Sequence, residues 1–186
     1  MAFVALYDAC VLYPAPIRDL LMRLAVRGLF QGRWSEHILE ECFRNILANR
    51  PDLTANALAR TRRLMNEAVP SALVTGHEKL VESLTLPDPD DRHVLAAAIR
   101  AGAQVLVTFN LDDFPDDALK EFEIDVQHPD EFVSYLVDLD AVTVCAVVRE
   151  QAAALKNPPR SVRELLDTLQ AAGLVQTVAR LRQLLE

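Results

Sequence analysis

Residues 86–114 read LPDPDDRHVLAAAIRAGAQVLVTFNLDDF, which predicts a loop, a helix, a tight turn, a buried strand and an acidic loop in succession. The prolines keep the start of this stretch out of a helix, and the pair Asp90-Asp91 is expected to cap the helix that follows. Gly102 is expected to end that helix in the left-handed conformation. Residues 104–108 are rich in β-branched side chains and predict one buried strand. The stretch therefore predicts one helix–strand unit of a parallel sheet.

Acidic residues flank this unit at two places that the fold would bring together. Asp91 shares the inward face of the helix with Leu95, one turn later, and Asp112 and Asp113 come just past the strand. In an open α/β sheet, ligands bind outside the carboxyl ends of the strands. The two acidic groups are therefore expected to meet at one edge of the sheet. The alternative is that Asp90 and Asp91 only cap their helix.

The composition limits the class of protein. The chain has 186 residues, 51% of them hydrophobic and 6% aromatic, which is enough for one domain with or without an appendage. No apolar run approaches a membrane span and no signal segment opens the chain, so we expect a cytoplasmic protein with no membrane partner. The three cysteines form no CxxC pair and are expected to be reduced thiols. The net charge of −8 argues against nucleic-acid binding by bulk electrostatics, although cations could neutralise clustered carboxylates.

The N-terminal half predicts a strand followed by helices. Residues 3–7 form an apolar run, expected as a central parallel strand, and Asp8 follows it either as a turn residue or as a ligand. Amphipathic helices are expected over 17–30, 36–49 and 55–68. In the second helix, Glu40 and Glu41 both lie outside the centre of the apolar stripe, and the spacing does not choose between them. The third helix carries arginines that form either a solvated face or a phosphate contact: Arg60, Arg62 and Arg63.

The remaining segments complete the fold prediction. Short strands are expected at 72–75 and 123–126, and short helices at 78–84 and 116–122. This alternation predicts a parallel sheet covered on both faces. Further along, Asp130 is expected to cap a helix near 131–137, and more helices are expected over 139–156, 165–172 and 174–185. We therefore expect a three-layer α/β/α domain over residues 1–129 and an all-helical extension over 130–186.

Four motifs, taken in order, resemble the PIN-domain nucleases. They are the apolar strand that ends at Asp8, SEHILEE at 35–41, DPDDRHVLAAA at 88–98, and VTFNLDDFP at 107–115. The last two are fairly specific, and their order and separation add to that. The resemblance covers residues 1–130. The helical tail is similar, more loosely, to the extension of a longer subset of bacterial VapC-type toxins.

The resemblance implies a set of metal-site acids: Asp8, Glu41, Asp91 and Asp113, with Asp112 as an alternative to Asp113. Thr108 and Asn110 would orient these acids. Many relatives carry Asp where this chain has Asn110, so one acid is missing. Mg²⁺ prefers such oxygen ligands, with Mn²⁺ as a substitute, and would activate a water molecule for attack on a phosphodiester.

The implied function is that of a Mg²⁺-dependent endoribonuclease, the toxin of a type II toxin–antitoxin pair. Its products would carry a 5′-phosphate and a 3′-OH. Its substrate would be tRNA or another structured RNA, and its protein partners a cognate antitoxin and a second copy in a homodimer. A route through the ribose 2′-OH needs a general base, commonly His. His37 and His93 lie on first helical turns with no second base evident, and His93 is expected to be exposed.

Two other classes stay open. A non-catalytic PIN-like interaction module would bind protein tightly and metal weakly. A receiver-type phosphorylation switch also gathers carboxylates at strand ends, but its acid pair follows the first strand, where this chain has Asp8 alone. Phosphatases with an Asp-x-Asp motif after the first strand do not fit, because Cys10 occupies the second acidic position.

Overall fold

A parallel sheet of five strands lies at the centre of residues 2–185, the part of the chain that the computed structural model describes. The strands are β1 (Val4–Tyr7), β2 (Gln31–Ser35), β3 (Leu73–Val74), β4 (Val105–Val107) and β5 (Asp125–Gln127). Their order across the sheet is β3-β2-β1-β4-β5, and every neighbouring pair is parallel. The predicted α/β class is confirmed, with the strand from the first apolar run at the centre.

Helices connect the strands and form the C-terminal region. They are α1 (Ala9–Leu12), α2 (Ala15–Val26), α3 (Glu36–Asn49), α4 (Ala55–Ala68), α5 (Arg92–Ala101), α6 (Asp116–Leu119), α7 (Pro129–Ala154), α8 (Val162–Ala171) and α9 (Val175–Leu185). Short 3₁₀ turns lie at Glu78–Ser83, Pro89–Asp91, Leu111–Asp113 and Lys120–Phe122. Over residues 2–185, none of the helices has both the length and the apolar character that crossing a bilayer requires.

The turn before α5 differs from the prediction, although the helix itself does not. Gly102 ends α5 with φ of 62°, as expected. The capping carboxylate, however, belongs to Asp88, which accepts the N–H of Asp90 at 2.9 Å. Pro89 opens a 3₁₀ turn ahead of the helix, so the cap moves back to the residue before the proline. Asp91 makes no capping hydrogen bond, and its carboxylate is left for other contacts.

Strand β2 was not predicted. The helix expected over 17–30 ends at Val26, and the residues after Gly28 return as a strand between β1 and β3. The segment QGRWS has no β-branched residue and has a glycine at its second position, so local propensity does not indicate a strand. A glycine suits the packing here, because a Cβ at Gly32 would lie only 3.1 Å from the Tyr7 hydroxyl oxygen. Tertiary packing therefore overrides local preference here.

Helix α7 contains two helical segments that meet at a kink, in agreement with the two helices expected over 131–137 and 139–156. Its backbone leaves the helical region at Asp140, with φ of −155° and ψ of 80°. The carboxylate of Asp140 accepts the N–H of Thr143 at 3.0 Å, so it caps the second segment of the bent helix.

Asp130 does not cap its own helix, contrary to the prediction. His128 takes that role, because its Nδ1 accepts the N–H of Asp130 at 3.1 Å. The Asp130 carboxylate instead accepts the N–H groups of Gln176 and Thr177 at 2.8 and 2.9 Å, at the first turn of α9. Asp130 therefore joins the two ends of the C-terminal region.

The C-terminal helices share one hydrophobic core with the sheet. The rings of Phe30 and Phe132 meet edge to face with centroids 5.0 Å apart. The side-chain amide of Gln151, in α7, donates to the carbonyl of Pro16, in α2, at 2.9 Å. The tail is therefore packed on the α/β domain.

Candidate metal site at the carboxyl edge of the sheet

The site begins where the two central strands end. Asp8 follows β1 directly, and its backbone N–H donates to the carbonyl of Val107, the last residue of β4, at 3.0 Å. Thr108 follows β4 and is fully buried. Because β1 and β4 are parallel neighbours, their carboxyl ends lie side by side and both residues point to one edge of the sheet.

The Asp8 carboxylate is buried, with 5% of the residue exposed, and is held by three donors. One oxygen accepts the N–H of Ala9 at 2.6 Å. The other accepts the Thr108 hydroxyl at 2.7 Å and the Cys10 thiol at 3.1 Å. Burial raises the pKa of Asp8, while these hydrogen bonds oppose that rise. Cys10 was not predicted to take part, although its position two residues after Asp8 on a helical turn could have indicated it.

Thr108 connects Asp8 to the acidic loop. Its hydroxyl donates to Asp8 and also accepts the backbone N–H of Asn110 at 3.0 Å. The carbonyl of Asn110 in turn accepts the N–H of Asp113 at 3.1 Å. These contacts fit the orienting role that was predicted for Thr108, and they place the backbone of Asn110 between the strand and the last acid.

Glu40 and Glu41, which the sequence did not distinguish, have different environments in the structure. Glu40 is exposed and accepts a hydrogen bond from Arg62 at 3.1 Å. Glu41 is half-buried, and its carboxylate lies 3.2 Å from Nε2 of His93. That hydrogen bond lowers the pKa of Glu41 and outweighs the opposite effect of burial.

His93 is buried, contrary to the prediction that it would be exposed. Only 5% of the residue is accessible, because the ring of His37 stacks on it with centroids 3.7 Å apart. His37 comes from α3, more than 50 residues away in the chain, so no local pattern around His93 could have shown this cover. The only hint in the sequence that His93 belongs to the site is its position two residues after Asp91.

The clearest sign of a shared acidic site is the behaviour of Asp91. Its pKa is raised to about 6, first by burial and then by the negative charges of Asp8, Asp113, Asp88 and Glu41. The other three acids of the predicted set therefore lie close enough to Asp91 to disfavour its negative charge. Asp88 was not part of that set.

The two acids of the last loop differ in exposure. Asp113 is half-buried, whereas Asp112 is exposed and is not among the charges that act on Asp91. This difference favours Asp113 as the inner acid of the pair. Which of them binds a metal stays a prediction.

The donor chemistry of the site fits a hard divalent cation. All four acids offer oxygen atoms, which Mg²⁺ and Mn²⁺ prefer, and a cation would relieve the repulsion that raises the pKa of Asp91. Within residues 2–185, no three His, Cys, Asp or Glu side chains already stand in a metal-holding arrangement.

The predicted arginine cluster is partly engaged by acids. Arg62 pairs with Glu36 and, as noted, with Glu40. Arg63 pairs with Glu67 one turn away at 3.6 Å, and Arg60 is exposed. Contact of these arginines with RNA stays a prediction.

Together, a parallel sheet and a group of carboxylates past its central strands define an α/β protein of the class that binds ligands at the carboxyl edge of the sheet. The chain belongs to the PIN-domain family: residues 4–112 match the family model described as PIN domain. Residues 129–183 match the model described as VapC50 C-terminal domain. The resemblance predicted from the four motifs and the helical tail is confirmed by these two matches.

A curated relative adds a comparison over half of the chain. A protein of Mycobacterium tuberculosis strain H37Rv, named "Putative ribonuclease VapC50", is 45% identical over 94 residues, which are 50% of this chain and 55% of that protein. The chain thus spans about half the length of this relative. No solved structure matches the chain.

Proposed function

We propose that this protein is a Mg²⁺-dependent endoribonuclease and the toxin of a type II toxin–antitoxin pair. The observation that carries the proposal is the proximity of Asp8, Glu41 and Asp113 to Asp91 at the carboxyl edge of a PIN-domain sheet. The similarity to a protein named as a ribonuclease supports the choice of RNA as substrate. A cytoplasmic location belongs to the same proposal.

The four acids would hold Mg²⁺, or Mn²⁺ in its place. When bound, the cation would neutralise part of the phosphate charge and favour attack by water on phosphorus. The protein contributes the arrangement of the acids. Thr108 and Cys10 fix one oxygen of Asp8, and His93 fixes Glu41. Fixed ligands lose less conformational freedom when a cation and a phosphate enter.

Direct attack of water on phosphorus would release the 3′ oxygen and leave a 5′-phosphate on the other fragment. The competing route needs a base that removes the ribose 2′-OH proton. His93 is buried and its Nε2 is engaged by Glu41, which argues against it as the general base for that route. End-group analysis of a cleaved synthetic RNA distinguishes the routes, because cyclic phosphate ends would contradict the proposal.

Matched carboxylate variants test the site itself. Glu41→Gln and Asp8→Asn should abolish RNA cleavage while the protein stays folded, because each change keeps the side-chain shape. Glu40→Gln is the control, because Glu40 is next to Glu41 in the chain and its exposed side chain carries the same charge. Cleavage is measured with Mg²⁺ and with excess chelator. Full activity of Asp8→Asn, or of the wild type in chelator, would refute the mechanism.

The proposed protein partner is an antitoxin that presents Arg or Lys to the acids. The net charge of −8 and the crowded carboxylates favour such a partner, because a guanidinium pairs with a carboxylate through two hydrogen bonds. Co-expression with the neighbouring gene tests this, with growth arrest as the readout. A structured RNA such as tRNA, and a homodimer, are further parts of the proposal.

A non-catalytic PIN-like interaction module is the alternative to the nuclease. Titration with Mn²⁺ separates the two. Micromolar to millimolar binding that Asp8→Asn removes would favour the nuclease. Tight protein binding without any metal binding would favour the module.

A further inference from the structure

The ring of Phe109 joins the acidic loop to the C-terminal helices. Phe109 lies between Thr108 and Asn110, directly after β4, and its ring is partly buried. It meets the imidazole of His128 edge to face, with centroids 5.0 Å apart and planes at 84°. The ring also lies against Gly173, where an added Cβ would be only 3.0 Å from Cε1 of the ring. We name this arrangement of Phe109, His128 and Gly173 the loop contact.

Gly173 is suited to the contact because it has no side chain. It forms the turn between α8 and α9 with φ of 112°, a conformation that L side chains rarely adopt. Its N–H donates to the carbonyl of Gln170 at 3.0 Å, which closes the end of α8. The start of α9, two residues on, is held by Asp130. The surface that meets Phe109 is therefore fixed at both ends.

From the backbone of Phe109 and Asn110, hydrogen bonds lead to the acids. The N–H of Phe109 donates to Cys10 Sγ at 3.4 Å, and the same sulfur donates to Asp8. The next N–H, of Asn110, donates to the Thr108 hydroxyl, which donates to Asp8. A shift of Phe109 would therefore move both the backbone that carries Asp113 and the groups that orient Asp8.

We infer that the C-terminal helices hold the acidic loop in place, and that Phe109 and Gly173 are positioning residues of the site. The consequence for catalysis rests on the proposed function, whereas the consequence for the loop does not. The simpler reading, that Phe109 only fills a gap between two units, predicts a loss of global stability without a local effect on the loop.

Two glycine variants separate these readings in the full-length protein. Gly173→Ala adds a Cβ that meets the Phe109 ring. Gly28→Ala is the matched control, because Gly28 also has a positive φ, of 79°, but nothing lies within 4 Å of an added Cβ. Both variants lose the conformational freedom of glycine, and only the first disturbs the loop contact.

Amide hydrogen exchange in the metal-free protein is the first readout. The N–H groups of Asn110, Asp113 and Phe114 are hydrogen-bonded within the loop. We expect them to exchange roughly tenfold faster in Gly173→Ala, relative to the amides of β1 in the same protein, and no such change in Gly28→Ala. Normalising to β1 removes the part that comes from global stability.

A double-mutant cycle tests whether the effect passes through the ring. Phe109→Leu removes the aromatic atoms that the new Cβ would meet. The acceleration caused by Gly173→Ala should therefore be several-fold smaller in the Phe109→Leu background. The dissociation constant for Mn²⁺ should rise roughly tenfold in Gly173→Ala, as when groups that orient ligands are disturbed.

The outcomes are distinguishable. Equal loop exchange in Gly173→Ala and Gly28→Ala, or no coupling to Phe109→Leu, would overturn the inference whether or not the protein cuts RNA. A wild type that cuts no RNA, combined with the expected exchange result, would refute the proposed function and support the role of the C-terminal helices.

Discussion

At the scale of single residues, the site depends on opposing contributions to a few carboxylates. Asp8 is buried, which disfavours its charge, and accepts three hydrogen bonds, which favour it. Glu41 has the opposite balance, because its bond to His93 outweighs burial. Asp91 has no compensating hydrogen bond of this kind, so burial and its charged neighbours dominate. In the metal-free site, Asp91 is therefore the acid whose ionised form is least favoured.

Replacing Thr108 by valine should weaken the site at its link to the loop. Thr108→Val removes the donor to Asp8 and the acceptor of the Asn110 N–H, both within a buried group. We expect a loss of about 1–3 kcal/mol in the free energy of unfolding. We also expect a drop of about 10–100-fold in RNA cleavage or Mn²⁺ affinity. Thr168→Val is the control, because its exposed hydroxyl donates only to a helix carbonyl. An unaltered Mn²⁺ affinity in Thr108→Val would contradict the orienting role.

Asp91 should give the metal-free protein a characteristic pH dependence. Its pKa is about 6 in the folded state, above its ordinary value of 3.8, so the folded protein binds this proton more tightly than the unfolded chain. Ionised Asp91 therefore destabilises the fold fully above pH 6 and not at all below pH 3.8. Asp91→Asn should unfold at a higher temperature than wild type at pH 7.5, and the difference should disappear near pH 4.

The exposed neighbour provides the control for that measurement. Asp90→Asn removes the same charge from the adjacent side chain, which is exposed. Thermal melts are recorded in chelator across the pH range. A difference between Asp91→Asn and wild type that stays constant with pH would show that the side chain acts through packing and not through its charge.

At the scale of helices and strands, most elements followed from prolines, caps and apolar spacing, and the exceptions have long-range causes. Gly102 is a local signal for the end of α5, and the structure has it as expected. Ser35 and Thr54, which cap α3 and α4, are local signals of the same kind. Strand β2 could not be predicted, because it exists through its neighbours on both sides and not through its own residues. For the same reason the sequence could not show that Asp130 caps a helix 45 residues further on.

Asp130→Ala should destabilise the C-terminal region. The change leaves the N–H groups of Gln176 and Thr177 without their acceptor at the start of α9, and Asp130 itself is only 6% exposed. The expected loss is about 1–3 kcal/mol in the free energy of unfolding, measured by urea denaturation. Glu131→Ala, at the exposed neighbouring position, should have little effect. Equal losses in the two variants would contradict the capping role.

At the scale of the whole molecule, residue 129 marks a change in the order of strands and helices along the chain. The hydrophobic core continues across it. The change from alternating strands and helices to helices alone was predicted from the sequence. The shared core could not be predicted, because amphipathic helices show that a partner exists but not which one. The contacts of Phe132 with Phe30 and of Gln151 with Pro16 show that the partner is the α/β domain itself. The division into 1–129 and 130–186 stays a proposal about organisation.

We expect the two regions to unfold together. The single tryptophan, Trp34, lies in β2 and is fully buried, so its fluorescence reports on the sheet. Far-ultraviolet circular dichroism reports on helices, including α7, α8 and α9. The two urea transitions should coincide, because one hydrophobic core joins the regions. A separate transition in circular dichroism at lower urea would show that the C-terminal helices unfold independently.

The two outer strands of the sheet have a consequence for self-assembly. β3 has two residues and β5 has three, so each presents very few backbone donors and acceptors that a strand of another molecule could use. Short outer strands are one way in which proteins avoid templating further β-structure. A second copy would therefore gain little by extending the sheet, and the proposed homodimer has to form through its helical surfaces.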